Sequence, residues 1–172
     1  MPDDTSNLRN RTYELKIGAS VAAAVTVGYI DQPKARKTQT TYERKLGAFG
    51  DMVLGDVITG VSVEIDVAMR EITQANLARF FPWYSTGDTI ALAPTSIGTD
   101  LYDYAQVAVL HPSDAADTSE DWVLDKAVVL GDIEVEGDLL QDQSLPMTIR
   151  AYPDRSQLPD IVLGTIGQET ES

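Results

Sequence analysis

The chain has 172 residues, with 27 acidic and 13 basic side chains, and a net charge of −14 at pH 7. This length fits one domain with a core of its own, and a hydrophobic fraction of 43% is typical of globular proteins. No apolar run approaches the roughly 18 residues of a membrane-spanning helix. The absence of cysteine excludes disulfides, thiolate metal sites and a cysteine nucleophile.

The N-terminal residues MPDDTSNLRNR lack the basic start and apolar segment of a signal peptide, so we expect synthesis in a cytoplasm. Charge is uneven along the chain. Residues 1–45 contain eight basic and five acidic side chains. The remaining residues contain 5 basic and 22 acidic side chains and therefore carry a net charge of −17. This asymmetry either serves solubility or lets the basic segment of one copy dock on the acidic surface of the next. An acidic body argues against tight binding of nucleic acid.

In chain order, residues 1–10 are expected to form a flexible arm. Residues 11–29 favour strands, because TYELKIG alternates and the following small, β-branched run is bracketed by Gly18 and Gly28, although that run could also form a short helix. The polar, basic segment 31–50, DQPKARKTQTTYERKLGAFG, has no steady period and predicts a long loop. Loops of this length in compact domains are usually functional, and a disordered hairpin tip is the alternative.

Residues 61–70, VSVEIDVAMR, alternate apolar and polar side chains and therefore predict a strand with one buried face and one exposed face. After residue 70 the spacing of the apolar residues changes from that of a strand to that of a helix. Residues 71–82 carry an apolar stripe at helical spacing, with Thr73 or Glu71 suited to the helix start and Pro82 ending it.

Five later stretches predict further strands: residues 89–94, 101–110, 122–130, 131–140 and 145–152. A polar segment, 111–121, interrupts them, 153–167 is expected to be loop with a short apolar piece, and 168–172 to be frayed. Eight or nine strands and one helix predict a single mainly β domain over residues 11–167, a β-sandwich or barrel-like fold with one flanking α-helix.

The sequence offers no catalytic motif. The single histidine, His111, precedes Pro112 in a predicted solvent loop, a poor place for a base that needs an orienting partner. The strings GxSxG, GxxxxGK[ST], GxGxxG and HExxH are all absent. We therefore expect no enzyme and no cofactor.

Two alternatives concern binding. The acidic residues of 114–125 could gather oxygen ligands for calcium, but they match no EF-hand register, so a solvated loop is expected and no metal site. The aromatic residues Phe80, Phe81, Trp83 and Tyr84 fit a hydrophobic core better than a sugar-stacking platform.

Residues 131–139, GDIEVEGDL, place Asp132, Glu134, Glu136 and Asp138 on one face of a predicted strand. Like charges along one side of a strand repel each other by up to about 1 kcal/mol per neighbouring pair. Together with Glu64 and Asp66 they suggest an acidic sheet face. It is either an ordinary solvated face or a surface that must not adhere to a passing polyanion.

In this order of features the chain resembles the major tail protein, or tail tube protein, of long-tailed bacteriophages. The resemblance rests on a basic, Thr-rich segment (PKARKTQTTYERK) before a long alternating strand, on the helix segment ITQANLARFFP, and on LPMTIRAYPD followed by IVLGTIG. It covers residues 15–167 by pattern, without an invariant motif. More distantly the chain is similar to tube proteins of contractile tails and of type VI secretion.

The resemblance implies a hexameric ring in which the inner sheets of six copies join into a β-barrel, and rings that stack into a tube conducting genomic DNA. Partners would be copies of itself and the tape measure, terminator and baseplate or distal tail proteins, in a virion tail assembled in the host cytoplasm. DNA would pass without specific binding, because an acidic wall repels phosphate. Expected lumen-lining residues are Glu64, Asp66, Asp132, Glu134 and Glu136. Expected contacts between rings are Arg9, Arg11, Lys34, Arg36, Lys37, Arg44 and Lys45.

Two rival interpretations stay open. A tail terminator or neck ring protein would share the fold and form one ring without elongating. A carbohydrate-binding β-sandwich module, from a different functional class, would need exposed coplanar aromatic side chains, whereas Trp83 and Trp122 lie in stretches predicted to be buried.

Overall fold

The structure is a computed structural model and describes residues 12–28, 30–46, 52–86, 89–90, 97–132, 144–157 and 162–167. One α-helix, α1, spans Gln74–Phe80, and short 3-10 turns span Pro82–Tyr84, Leu101–Tyr104 and Arg155–Gln157. The strands are β1 (Tyr13–Gly18), β2 (Val25–Thr26), β3 (Ile30–Leu46), β4 (Met52–Met69), β5 (Ser85–Thr86), β6 (Thr89–Ile90), β7 (Gln106–Pro112), β8 (Trp122–Leu130), β9 (Leu145–Ala151) and β10 (Thr165–Ile166).

Eight strands form one antiparallel sheet in the order β2-β1-β7-β8-β9-β4-β3, with β10 paired to the start of β8. Strands β5 and β6 form a separate two-stranded ribbon. The predicted class, mainly β with one α-helix, is confirmed for the described residues. Their sheet is not closed into a barrel, so the joining of sheets from several copies stays a prediction.

The sheet is strongly curved, because β1 comes close to β3 although four strands separate them in the sheet order. Alternate residues of five strands therefore point into one core. Strand β9 shows the alternation most clearly: Leu145, Met147 and Ile149 are buried, whereas Pro146 and Arg150 are exposed. Phe80 and Phe81, at the end of α1, complete this core.

The helix confirms the predicted segment but is shorter at its start than the predicted 71–82. Thr73 caps it by accepting a hydrogen bond from the Asn76 backbone N–H at 3.2 Å. Asn76 is itself buried and donates from Nδ2 to the Glu71 carbonyl at 3.0 Å, which fixes the approach from β4. Pro82 follows the helix and opens a 3-10 turn, in agreement with its predicted role as the terminator.

The prediction of a long loop is wrong for residues 31–46, which belong to β3 and pair with β4, whereas residues 47–50 lie outside the described residues. A period of two is visible in a sequence only when one face of a strand is buried. From Arg36 to Arg44 the side chains of β3 are exposed whichever face they occupy, so the sequence carries no apolar alternation there.

The alternating stretch 61–70 is confirmed as strand, but its predicted dry face is only partly buried. Ile65, Val67 and Met69 are buried, whereas Val63 is half-buried and Val61 is 43% exposed. The change occurs where β9 ends, since β9 pairs with β4 only from Glu64 to Met69.

The strand expected after Gly18 is also absent from most of 19–24, which forms a turn with exposed alanines. Gly18 permits this turn, because a Cβ atom there would lie 2.6 Å from the Ala23 carbonyl oxygen. Within the described residues no helix is both long and apolar enough to cross a bilayer.

Replacing Thr73 by Ala should lower the free energy of unfolding by about 1 kcal/mol, because the Asn76 N–H loses its acceptor. Thr73→Ser keeps a hydroxyl oxygen at the same place and should stay close to wild type. Urea unfolding followed by circular dichroism measures both. Equal loss in the two variants would contradict the cap.

Candidate assembly surface

Strands β3 and β4 continue past the rest of the sheet as a two-stranded ribbon. We call this ribbon the hairpin arm and define it as residues 37–46 and 52–63, the part beyond the last β4 residue that pairs with β9, Glu64. The β4 half contains the twelve residues Met52–Val63. At about 3.3 Å per residue it extends for roughly 40 Å.

From residue 37 to 44 and from 55 to 59 the hairpin arm is exposed on both faces, and several of these side chains are large and apolar. Tyr42 is 64% exposed, Ile58 55% and Val57 42%. Tyr42 lies directly opposite Val57, whereas Ile58 lies opposite Thr41, so the exposed apolar side chains are distributed over both faces. A monomer gains no hydrophobic stabilisation from residues in this position.

The edges of the hairpin arm are open as well. Among the described strands none pairs with the outer edge of β3, and none pairs with β4 beyond Glu64 on the side of β9. Unpaired edges invite pairing with another chain, and an isolated two-stranded ribbon is marginally stable in water. The hairpin arm therefore has the properties of a segment that is completed by a partner.

A charged ladder crosses the three strands at the base of the hairpin arm, on the face turned away from the core. Glu64 accepts hydrogen bonds from Arg36 Nη2 at 2.8 Å and from Arg150 Nε at 2.8 Å. Asp66 accepts from Thr148 Oγ1 at 2.8 Å and lies 3.4 Å from Arg36 Nη2. The register explains these contacts, since Arg36 and Arg150 are both the direct cross-strand partners of Glu64.

The ladder fixes the ionisation of Glu64. Hydrogen bonds from Arg150 and then from Arg36 lower the pKa of this carboxyl below its ordinary value. A carboxylate whose folded-state pKa is depressed contributes stability above its unfolded-state pKa, and that contribution disappears as the pH falls through the folded-state pKa.

Predicted lumen residues and predicted ring-contact residues therefore lie side by side at the base of the hairpin arm. Glu64 and Asp66, predicted to form a bare acidic wall, share one face with Arg36, and Lys34 lies directly opposite Asp66. Arg36, predicted to lie in a loop, is instead a strand partner of Glu64, so a predicted ring-contact residue lies beside two predicted lumen residues. Whether this face lines a channel stays a prediction.

The remaining predicted residues lie elsewhere. Asp132 is exposed just after β8, whereas Glu134, Glu136, Arg9 and Arg11 lie outside the described residues. Arg44 and Lys45 belong to the hairpin arm, opposite Gly55 and Val53. Lys37 is also in the hairpin arm but lines a groove beside the core.

Sequence reasoning missed the role of His111. It belongs to β7 and not to a solvent loop, and its Nδ1 atom lies 2.6 Å from Oδ1 of the buried Asp121. The pair joins β7 to the residue before β8, and the Asp121 carbonyl also accepts from the Gly167 N–H at 2.7 Å. No pattern in the sequence links two residues ten positions apart across a polar segment.

The aromatic residues after α1 confirm the prediction of a core. Phe81 is buried, Trp83 meets it edge to face at 5.7 Å between ring centroids, and Trp122 packs against the same core. In the part of the chain that the structure describes, no three His, Asp or Glu side chains are close enough to hold a metal ion.

Neither a protein-family model nor a curated protein matches this chain. The function is therefore argued from the residues and from the geometry of the hairpin arm and its base.

Glu64→Gln should lower the free energy of unfolding at pH 7 by about 1 kcal/mol, since two partly exposed charge-assisted hydrogen bonds weaken. The difference from wild type should shrink as the pH is lowered from 7 to 3, because the stability that comes from a depressed carboxyl pKa disappears as the pH falls through the folded-state pKa. Urea unfolding at pH 7 and pH 3, on either side of the pI of 4.2, measures this.

The control is Asp132→Asn, which neutralises an exposed carboxylate outside the ladder and should change little at either pH. A Glu64→Gln effect equal at both pH values would contradict the ionised ladder.

Proposed function

We propose that this protein is a structural subunit that polymerises with copies of itself, as the tail tube protein of a long-tailed bacteriophage. The observation that carries the proposal is the hairpin arm. It is a ribbon of roughly 40 Å with open edges and exposed apolar side chains on both faces, and Tyr42, Val57 and Ile58 stay exposed in the described part of the chain.

Assembly supplies what the hairpin arm lacks. Closed rings of identical subunits remove sheet edges, and heterologous contacts between successive rings repeat without limit. In this proposal hexameric rings form through the curved sheets, and the hairpin arm reaches the next ring. Six joined sheets would give a barrel with enough strands to leave an aqueous channel.

The proposed channel function needs a surface that does not retain DNA. In the ladder Arg36, Arg150 and Lys34 outnumber the two carboxylates of Glu64 and Asp66, so this face by itself does not repel phosphate. The repulsion would come from the overall charge of −14 and from the acidic segment beginning at Asp132. Of the residues predicted to form an acidic channel wall, only those in that segment therefore still support repulsion of DNA.

The proposed role is structural and not catalytic. The subunit would belong to the virion tail after assembly in the host cytoplasm, with the tape measure, terminator and distal tail proteins at the two ends of the tube. Its interaction with DNA would be passage without sequence-specific contact.

Shortening the hairpin arm should abolish polymerisation while the domain stays folded. The variant replaces residues 40–60 by Asn-Gly, a two-residue turn that can join Gln39 to its cross-strand partner Val61. None of the removed residues whose burial the structure describes belongs to the buried core. Wild-type protein should form rings and tubes by negative-stain electron microscopy, and the variant should sediment as a small species.

Ile97→Ser is the matched control, because Ile97 is 84% exposed and lies in a turn outside the sheet, and its loss should leave the tubes unchanged. Single rings that never elongate in the wild type would favour a terminator role. Monomers at millimolar concentration, or tubes of the shortened variant, would contradict the proposal.

A further inference from the structure

The two strands of the hairpin arm differ in length. Residues 37–46 of β3 lie opposite residues 52–63 of β4, so ten residues pair with twelve. The pairing register shifts at two places, and the extra residue of β4 is Thr59 at the first and Leu54 at the second. Each is a β-bulge, in which one additional residue bends its strand and increases the local twist.

The first bulge is stabilised by its own extra residue. The Thr59 hydroxyl donates a hydrogen bond to the Thr40 carbonyl at 3.1 Å, across the ribbon. This contact lies where the β4 partner in the ladder shifts from Gly60 to Ile58. A bulge interrupts the backbone ladder, and buried or bent backbone groups at such a place need another hydrogen-bonding partner. A threonine hydroxyl supplies one here.

The second bulge lies beside a glycine whose backbone conformation requires glycine. Gly55 follows Leu54 and has a φ of 150°, a value that residues with a Cβ atom rarely adopt. Space does not explain the glycine, because a Cβ atom at Gly55 would meet no described atom within 4 Å. Gly60 is different: its φ lies outside the left-handed region, and a Cβ atom there would make an ordinary contact of 3.7 Å with Thr40.

Both extra residues lie on β4, so the two bulges bend and twist the hairpin arm in the same sense. The seven residues 52–58 follow the first bulge on the way to the far end of the arm. At about 3.3 Å per residue they extend for roughly 23 Å, so a small change of direction at Thr59 becomes a large displacement at that end. Closely packed contacts between proteins do not tolerate such a displacement.

We infer that the bulges at Thr59 and Leu54 set the direction of the hairpin arm, and that polymerisation depends on this direction. The inference rests on the proposed function and assigns Thr59 and Gly55 as positioning residues for the contact between copies. It holds whichever surface of the neighbouring copy receives the arm. Because the bend follows from the number of residues in each strand, the arm is preorganised before contact, and association costs less ordering.

Deletion of Thr59 tests the first bulge. The deletion leaves the cross-strand pairs on both sides unchanged and removes only the extra residue. It should raise the protein concentration needed for tube formation by about tenfold or more, because a misdirected arm loses contacts with its neighbour. Sedimentation and negative-stain electron microscopy measure this. Thr59→Ser is the matched control, since it keeps both the extra residue and its hydroxyl, and should assemble like the wild type.

An intrachain disulfide shows whether the deletion variant keeps its ribbon. Thr41 and Ile58 are directly opposed, and the chain has no cysteine of its own. Thr41→Cys with Ile58→Cys should therefore form a disulfide in dilute protein, both with and without Thr59. Loss of this disulfide on deletion of Thr59 would mean that the residue serves strand pairing and not direction, and would overturn the inference. Its absence from both proteins would contradict the register on which the inference depends.

The two glycines test the second bulge. Gly55→Ala adds one methyl group without a clash but disfavours a positive φ, so it should also raise the concentration for assembly about tenfold. Gly60→Ala is the matched control and should stay close to wild type. Equal effects of the two substitutions, or unimpaired assembly of both Gly55→Ala and the Thr59 deletion, would overturn the inference and leave polymerisation intact. Failure of the wild type itself to assemble would instead overturn the proposed function, so the two failures are distinguishable.

Discussion

The length over which β9 accompanies β4 decides the architecture of this protein. Pairing covers Glu64–Met69 and then ends, because β9 itself ends at Ala151. Where β9 is present, β4 is a central strand with one face in the core. Where it is absent, the same strand becomes half of a free ribbon. One continuous strand of 18 residues therefore belongs to two environments, and the boundary falls at the charged ladder.

The charged ladder connects the strands at that boundary. Glu64 is bonded from both sides, by Arg36 of β3 and Arg150 of β9, so a single carboxylate connects the last fully paired row of the sheet. Charge-assisted hydrogen bonds of this kind depend on fixed geometry more than on burial. They hold the register of the ribbon at its base, and register errors there would move every side chain of the hairpin arm to the opposite face.

Whether a segment could be predicted from the sequence also depends on whether one of its faces is buried. The helix, its cap Thr73 and the buried residues Ile65, Val67 and Met69 were predictable, because burial of one face imposes a period. Most of strand β3 was not, because its side chains from Arg36 to Arg44 are exposed on both faces and its Thr-rich sequence resembles a loop. The cross-strand partners of Glu64 could not be predicted either, because a sequence shows which residues are charged but not how two strands are aligned with each other.

Because the register was unknown, the net charge of the chain was also a poor guide to the charge of the surface around Glu64. The acidic face expected from Glu64 and Asp66 is balanced by Arg36 and Arg150, although the chain as a whole carries −14. Five of the eight basic residues up to Lys45 lie on β3, the strand that pairs with β4, and one of them, Arg36, contacts both carboxylates. Strands β3 and β4 thus carry a charged ladder at the base of the hairpin arm and exposed apolar side chains such as Tyr42 and Ile58 further out.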